Sequence, residues 1–399
     1  MYQPSAALLQ KYADVCIRFA LNSGTGVKKN EVVLIATQLP GLPLARIMYQ
    51  TVLACGANPI LQIIDDHAKQ IQIRHATDDQ LLFFPQKYYR GLADTIDHWV
   101  RVLADEDPQF LKDEDPRKII LAQKSAKPFR EWLDQKEDKG KFTWTLCLYG
   151  TPGQAAEAGL TLEQYWKQIR AACYLDKPDP IAHWRKTFAQ VQRLIKTLSA
   201  MPIDKLHIES VKTDLWITLG QNRQWLGGSG RNIPSFEIFT SPDWRGTNGK
   251  IFFDLPLYRF GNIIKDISLE FKDGKIIKAT AAKNEKLLKM MIAQENANKI
   301  GEFSLTDRRF SNISAFMADT LYDENFGGNF GNTHLAVGKS YHDTCTIDGK
   351  KMTKKRYEQL GFNDSVEHTD IIATNDRTVT AVLKDGSKKV IYTHGQFTI

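Results

Sequence analysis

The sequence predicts an α/β N-terminal domain followed by a strand-rich α+β domain. Before residue 200, amphipathic helical stripes alternate with short β-rich apolar runs, the order that builds a parallel α/β layer. Beyond Ala200-Met201-Pro202 the β-rich runs crowd together around tight turns. The length, 399 residues, suits two domains of roughly 100–200 residues. The boundary is therefore expected near residue 200, with 1–200 as the α/β domain and 201–399 as the α+β domain.

The elements follow in order. Leu8, Leu9, Tyr12, Ala13, Cys16, Phe19 and Ala20 recur at helical spacing and form one apolar stripe. Glu31 to Ala36 (EVVLIA) has the look of a strand buried on both faces. Leu42 to Ala54 reads as a helix stopped by Gly56. Pro59 to Ile64 (PILQII) reads as a second buried strand. Trp99 to Leu103 and Phe142 to Leu148 are further strands. Leu162, Tyr165, Trp166, Ile169, Ala172 and Cys173 make another helical stripe, and a long helix is expected from about Ile181 to Leu198. In the second half, Lys205 to Glu209 pairs with Asp214 to Leu219. Ile267 to Phe271 and Lys275 to Ala279 flank Asp273-Gly274, and Val379 to Lys384 and Lys388 to Tyr392 flank Asp385-Gly386. Asp-Gly between β-rich runs signals a type I′ hairpin, whose two central residues both need positive φ.

Composition excludes several classes. With 42% apolar and 25% charged residues the chain is neither disordered nor fibrous. The 53 basic and 46 acidic residues leave a formal charge of +7, too small for a nucleic-acid footprint. Lys350-Lys351 and Lys354-Lys355-Arg356 are read as solvated surface. Five scattered cysteines, none in a CxxC pair, exclude a zinc ribbon and argue against a disulfide framework. No basic segment followed by an apolar run opens the chain, and no run of about 18 apolar residues occurs. The expectation is a cytoplasmic protein with no membrane span. There is no HExxH. Thr333 to Ser340 (THLAVGKS) ends like a phosphate-binding loop, but Thr333 stands where the motif needs glycine. Gly227-Gly228-Ser229-Gly230 fits neither GxGxxG nor GxSxG and is expected to be a flexible loop.

Four of the nine histidines, His334, His342, His368 and His394, fall in the last part of the chain. His368-Thr369-Asp370 lies in a strand-like run, so His368 and Asp370 would project from one face and offer half a site for a divalent cation. By spacing alone, a hydrogen-bonded His–Asp pair explains them better. Glu237, flanked by Phe236, Ile238 and Phe239, is costly to desolvate unless paired or coordinated, although strand alternation can also turn it to solvent. Glu302, in Lys299-Ile300-Gly301-Glu302-Phe303, carries no signal by itself. His334 follows the glycine-rich stretch Phe326 to Gly331, where backbone can approach a ligand closely, and Tyr341 follows His334.

In combination these motifs are much more specific. Asn-Ile-Pro-Ser-x-Glu-Ile-Phe-Thr-Ser-Pro, Ile-Gly-Glu, His-Leu-Ala-x-Gly-x-x-Tyr and His-x-Asp, in that order, resemble the thermophilic metallo-aminopeptidase family, the aminopeptidase T, aminopeptidase S and PepS group. The resemblance runs over essentially the whole chain, including Ala54-Cys55-Gly56-Ala57-Asn58-Pro59 and Asp179-Pro180 followed by Trp184. It implies that Glu237, Glu302, His334, Tyr341, His368 and Asp370 are metal ligands in the second domain. Two departures stand out. Phe236 occupies a position that is commonly acidic in the family, and the segment before His334 is longer and richer in glycine.

The resemblance further implies a metal-dependent aminopeptidase that removes N-terminal residues from short peptides, working as a cytoplasmic homodimer. Two divalent cations, zinc, cobalt or manganese, would lie about 3.5–4 Å apart and activate a water for attack on the scissile carbonyl. Three carboxylates bring about −3 against +4, which keeps the site electropositive and lowers the pKa of the water. Tyr341 is expected as a ligand or oxyanion stabiliser, and Glu302 or Glu324 as proton relay. A dipeptidase or another metal-dependent amide hydrolase could use the same ligands. A non-catalytic metal-binding scaffold is the reading of another class. A nucleotide-binding first half is the third alternative, and it has no phosphate motif.

Overall fold

The computed structural model describes residues 2–399 and, at Lys350, the backbone only. Met1 and the Lys350 side chain, which enter the readings of the N-terminus and of the basic cluster, lie outside the described residues. The chain divides into two compact units, Met1–Lys186 with Ser229–Ser235, and Thr187–Gly228 with Phe236–Ile399. Sequence composition places the change near residue 200. By contacts it falls within the helix Pro180–Ala200, and a second short segment returns to the first unit.

The first unit holds a five-stranded sheet. Its strands are β1 (Val32–Gln38), β2 (Asn58–Ile64), β3 (His98–Leu103), β4 (Thr143–Leu148) and β5 (Asn232–Ile233), in the order β2-β1-β3-β4-β5, all parallel. The α/β expectation is met. Leu42–Ala54 is a helix, and Gly56 at φ 73° ends it in a Schellman motif, with Gly56 N–H on the Leu53 carbonyl and Ala57 N–H on that of Val52. Two expectations change. β2 is an edge strand, so it is only partly covered and Ile63 is half exposed. The first helix, Ala6–Val15, widens into a π turn at Cys16–Ala20 and stops at Asn22 and Ser23, both left-handed.

The chain direction across the sheet switches between β1 and β3, the place where open α/β sheets admit ligands. Here two of the protein's own side chains meet. The Gln38 amide donates to the Asp105 carboxylate at 2.5 Å, and its carbonyl accepts from Ala104 N–H at 3.2 Å.

The second unit is built mainly from two antiparallel sheets, beside a two-stranded ribbon of Leu257–Arg259 and Asn262–Ile264. The larger runs Lys275–Thr280, Ile267–Lys272, Asp243–Phe253, Thr213–Thr218, Ile203–Ser210, Arg377–Leu383, Lys388–Thr393, Gln396–Phe397. The smaller contains β6 (Glu237–Thr240), β7 (Ile300–Thr306), β8 (Asn332–Gly338) and β9 (His368–Ala373), with Leu226–Gly227 beyond β6. One apolar core joins Leu206, Ile208, Leu215 and Ile217 to Ile238, Phe303, Leu305, Leu335, Val337 and Ile371. The smaller sheet therefore spends one face on the core, and period-2 alternation sends Glu302, Ser304, His334 and Asp370 to the other.

Turns confirm part of the hairpin reading. Asp273 and Gly274 have φ 49° and 80°, as a type I′ turn requires. At Asp385-Gly386 only the glycine has positive φ, 85°, and Gly386 N–H bonds the Leu383 carbonyl. That is a type I turn closed by a left-handed glycine, capped by the Asp385 carboxylate on Ser387 N–H. Gly227 and Gly230 are required by close packing. A Cβ on Gly227 would sit 2.2 Å from the Glu237 carbonyl, and one on Gly230 would sit 2.2 Å from that of Ala20.

Candidate metal centre

Strand register decides which side chains meet. Across the smaller sheet, Glu302, Ala336 and Asp370 stand opposite one another, His334 is opposite Ser304, Glu237 is opposite Thr306, and His368 is opposite Gly338. Directly paired residues of antiparallel strands share a face. Ser304 and Ala336 are small, which leaves room between the larger polar groups. A bulge at Gly301 aims Glu302. A Cβ there would lie 2.2 Å from the Lys339 carbonyl, so only glycine fits.

That carbonyl has a second role. It accepts from His368 Nδ1 at 2.8 Å, which places a proton on Nδ1 and turns Nε2 into the cluster. His334 is arranged in the same way, with Nδ1 3.4 Å from Asn332 Oδ1. Its Nε2 lies 3.2 Å from Glu302 Oε1, 3.3 Å from Glu237 Oε2 and 3.9 Å from Asp370 Oδ1. His368 Nε2 is 3.6 Å from Asp370 Oδ1 and 4.0 Å from Glu302 Oε2. Ligand-type atoms of Glu237, Glu302 and His334 all lie within 4.8 Å of one another, and all three residues are buried.

Tyr341 stands just beyond β8. Its ring centroid is 4.7 Å from that of His368 and 5.9 Å from that of Phe239, and its N–H donates to Ser241 Oγ at 2.9 Å. Phe236 is wholly buried next to Glu237. Glu324, read from sequence only as a possible relay, is a further buried carboxylate of the cluster. It feels the charges of Glu237, Asp370 and Glu302. The glycine-rich stretch between Glu324 and His334 hides this relation in the sequence.

The electrostatics are those of a site that a cation would balance. Burial, together with Glu237 and Asp370, raises the Glu302 pKa to about 7 despite its hydrogen bond to His334. Burial, then Glu237 and Asp370, push Glu324 well above the usual carboxyl range. Burial disfavours charge on His368, but Asp370 and Glu302 outweigh it and raise the pKa to about 9. The same contest, decided by Glu237, Glu302 and Asp370, raises His334 well above an ordinary imidazole. Asp370 Oδ1 is buried without a hydrogen-bond donor. Four buried carboxylates crowded around two imidazoles form a costly set, which divalent charge would compensate. The donors, oxygen with imidazole nitrogen, fit zinc, cobalt or manganese.

A sequence model of the family described as "Thermophilic metalloprotease (M29)" matches residues 5–397. The chain belongs to the M29 family. Aminopeptidase 2 of Geobacillus stearothermophilus is 26% identical over 413 residues, 98% of this chain and 97% of that protein. Aminopeptidase T of Thermus thermophilus is 26% identical over 414 residues, 98% of each chain. The solved structure of wild-type AmpT from Thermus thermophilus superposes with a TM-score of 0.82 at 23% identity, covering 98% of this chain and 99% of that one. An M29 member uses a metal, and the polar face of the smaller sheet offers the donors for one. Among the described residues, no helix is long and apolar enough to cross a membrane.

Proposed function

We propose that this M29 protein is an aminopeptidase that removes N-terminal residues from short peptides. In this reading Glu237, Glu302, His334, Tyr341, His368 and Asp370 hold two divalent cations, zinc, cobalt or manganese. Glu324 completes the acidic set. The second half of the chain, which the sequence bounds at 201–399, is its catalytic part. The observation that carries the proposal is the convergence of Glu237, Glu302 and His334 ligand atoms within 4.8 Å, beside the donorless Asp370 Oδ1. The aminopeptidase names of the relatives support the choice of substrate end. A cytoplasmic homodimer fits the family resemblance and is part of the proposal.

When bound, the cations supply Lewis acidity and an activated water. The chain's own groups do the rest. Hydrogen bonds from Nδ1 of His334 and His368 fix both rings with Nε2 directed inward, where a bound cation would take the place of the Nε2 proton. The same ligands would hold a cation able to take the free α-amine of a peptide, which accounts for the choice of its first residue. Glu302 or Glu324 takes the proton from the attacking water and returns it to the leaving amine. Tyr341 is a ligand or donates to the oxygen that gains charge.

The test is turnover of unblocked aminoacyl substrates before and after chelation, then with zinc, cobalt or manganese restored. The expected result is loss on chelation, recovery with metal, and no turnover of N-acylated peptides. Turnover that survives full metal removal would overturn the proposal. Preference for dipeptides would point to a dipeptidase. Absence of bound metal at saturating concentration would point to a scaffold.

A further inference from the structure

Two fully buried asparagines, Asn325 and Asn332, surround Glu324. Asn325 Oδ1 accepts from Phe236 N–H at 2.6 Å, next to Glu237. Its amide donates to the Leu321 carbonyl at 2.9 Å and to Glu324 Oε1 at 3.3 Å. Asn332 uses both amide hydrogens on backbone carbonyls, those of Glu324 and Phe326, each at 2.8 Å. Its Oδ1 is thereby left facing His334 Nδ1. We propose that Asn325 and Asn332 form a bracket that fixes Glu324 between the strand of Glu237 and the strand of His334, and so act as positioning residues for the metal centre.

The physical need is local. Between Glu324 and His334 the chain runs through Gly327, Gly328 and Gly331, two of them left-handed at φ 45° and 56°. Glycine has little intrinsic preference for one backbone conformation. Glu324 is also repelled by the carboxylates around it. An amide donor at its Oε1 and an anchor on its carbonyl oppose both effects. The proposal rests on the metal-centre reading above, with Glu324 counted in the acidic set.

The experiment uses the full-length protein stripped of metal, titrated with Co2+ and followed by visible absorption. Asn325→Asp keeps the acceptor for Phe236 N–H but turns an oxygen toward Leu321 O and Glu324. Asn332→Asp does the same toward two carbonyls. Either variant that keeps the parent far-UV circular dichroism suffices. The Co2+ Kd should rise about tenfold or more, with altered d–d bands. In the parent loaded with Co2+, kcat should exceed that of the variants while KM stays within about threefold. In a Glu324→Gln background, Asn325→Asp should add less than about threefold, because it acts through Glu324. Parent-like Co2+ affinity in both variants, or full additivity in the double variant, would overturn the bracket. A parent chain that binds no Co2+ would instead overturn the metal-centre reading itself.

Discussion

Replacing Asp105 with asparagine should flatten part of the pH dependence of the first unit's stability. Asp105 follows β3 at the switch point of the parallel sheet and takes the Gln38 amide at 2.5 Å. Burial, then the negative charge of Asp66, raise its pKa to about 6 against the pull of Arg101 and Lys69. An aspartate in an unfolded chain titrates near 3.9 (about 4). The folded chain therefore keeps this proton over a range where the unfolded chain has released it. Below about pH 4 the group costs nothing. As pH rises from about 4 to about 6 stability falls, and above that the loss is constant. At about 1.4 kcal/mol per pKa unit, two units amount to about 3 kcal/mol. Asp105→Asn has no proton to lose and keeps an oxygen for the Gln38 amide. The variant should gain about 3 kcal/mol on its parent between pH 4 and pH 7, roughly 6–12 °C in melting midpoint for a unit of this size. Thermal melts of both proteins across that range measure it, since the carboxylates distant from Asp105 cancel in the difference. Curves that stay parallel to within about 0.5 kcal/mol would refute the argument that burial at the switch point keeps this carboxyl protonated.

Other outcomes follow from the second unit. Asp370→Asn removes a charge from the cluster and should weaken zinc binding about tenfold or more by calorimetry, with little change in fold; unchanged binding would remove Asp370 from the ligand set. Gly227→Ala places a Cβ 2.2 Å from the Glu237 carbonyl at a φ of 154°. It should cost about 1–3 kcal/mol in urea denaturation and loosen metal binding together, and a neutral result would show that β6 can shift freely. Phe303→Ala empties a fully buried position on the core face of the smaller sheet. A loss of about 3–5 kcal/mol is expected by urea denaturation, and a loss under about 1 kcal/mol would contradict the packing described.

Sequence by itself determined the parts of this protein that depend on local chemistry. The helix Leu42–Ala54 with its Gly56 stop, the parallel-strand runs and the Asp273-Gly274 turn follow from periodicity and backbone preference, and the structure holds them at those positions. The order of four short motifs was enough to suggest the M29 family. His368 and Asp370 were legible as a same-face pair because a strand has period 2.

Only the tertiary structure decided the rest. That β2 is an edge depends on strand order, which no local pattern encodes. The return of Ser229–Ser235 to the first unit is a long-range event, marked in sequence only by glycines that look like a loop. Glu302, weak on its own, gains meaning from a bulge that turns it toward His334 across the sheet. Glu324, Asn325 and Asn332 carry no periodic signal, because their roles come from hydrogen bonds across a glycine-rich excursion. Local propensity selects elements, but register and burial decide which charges share a space, and those charges set the chemistry.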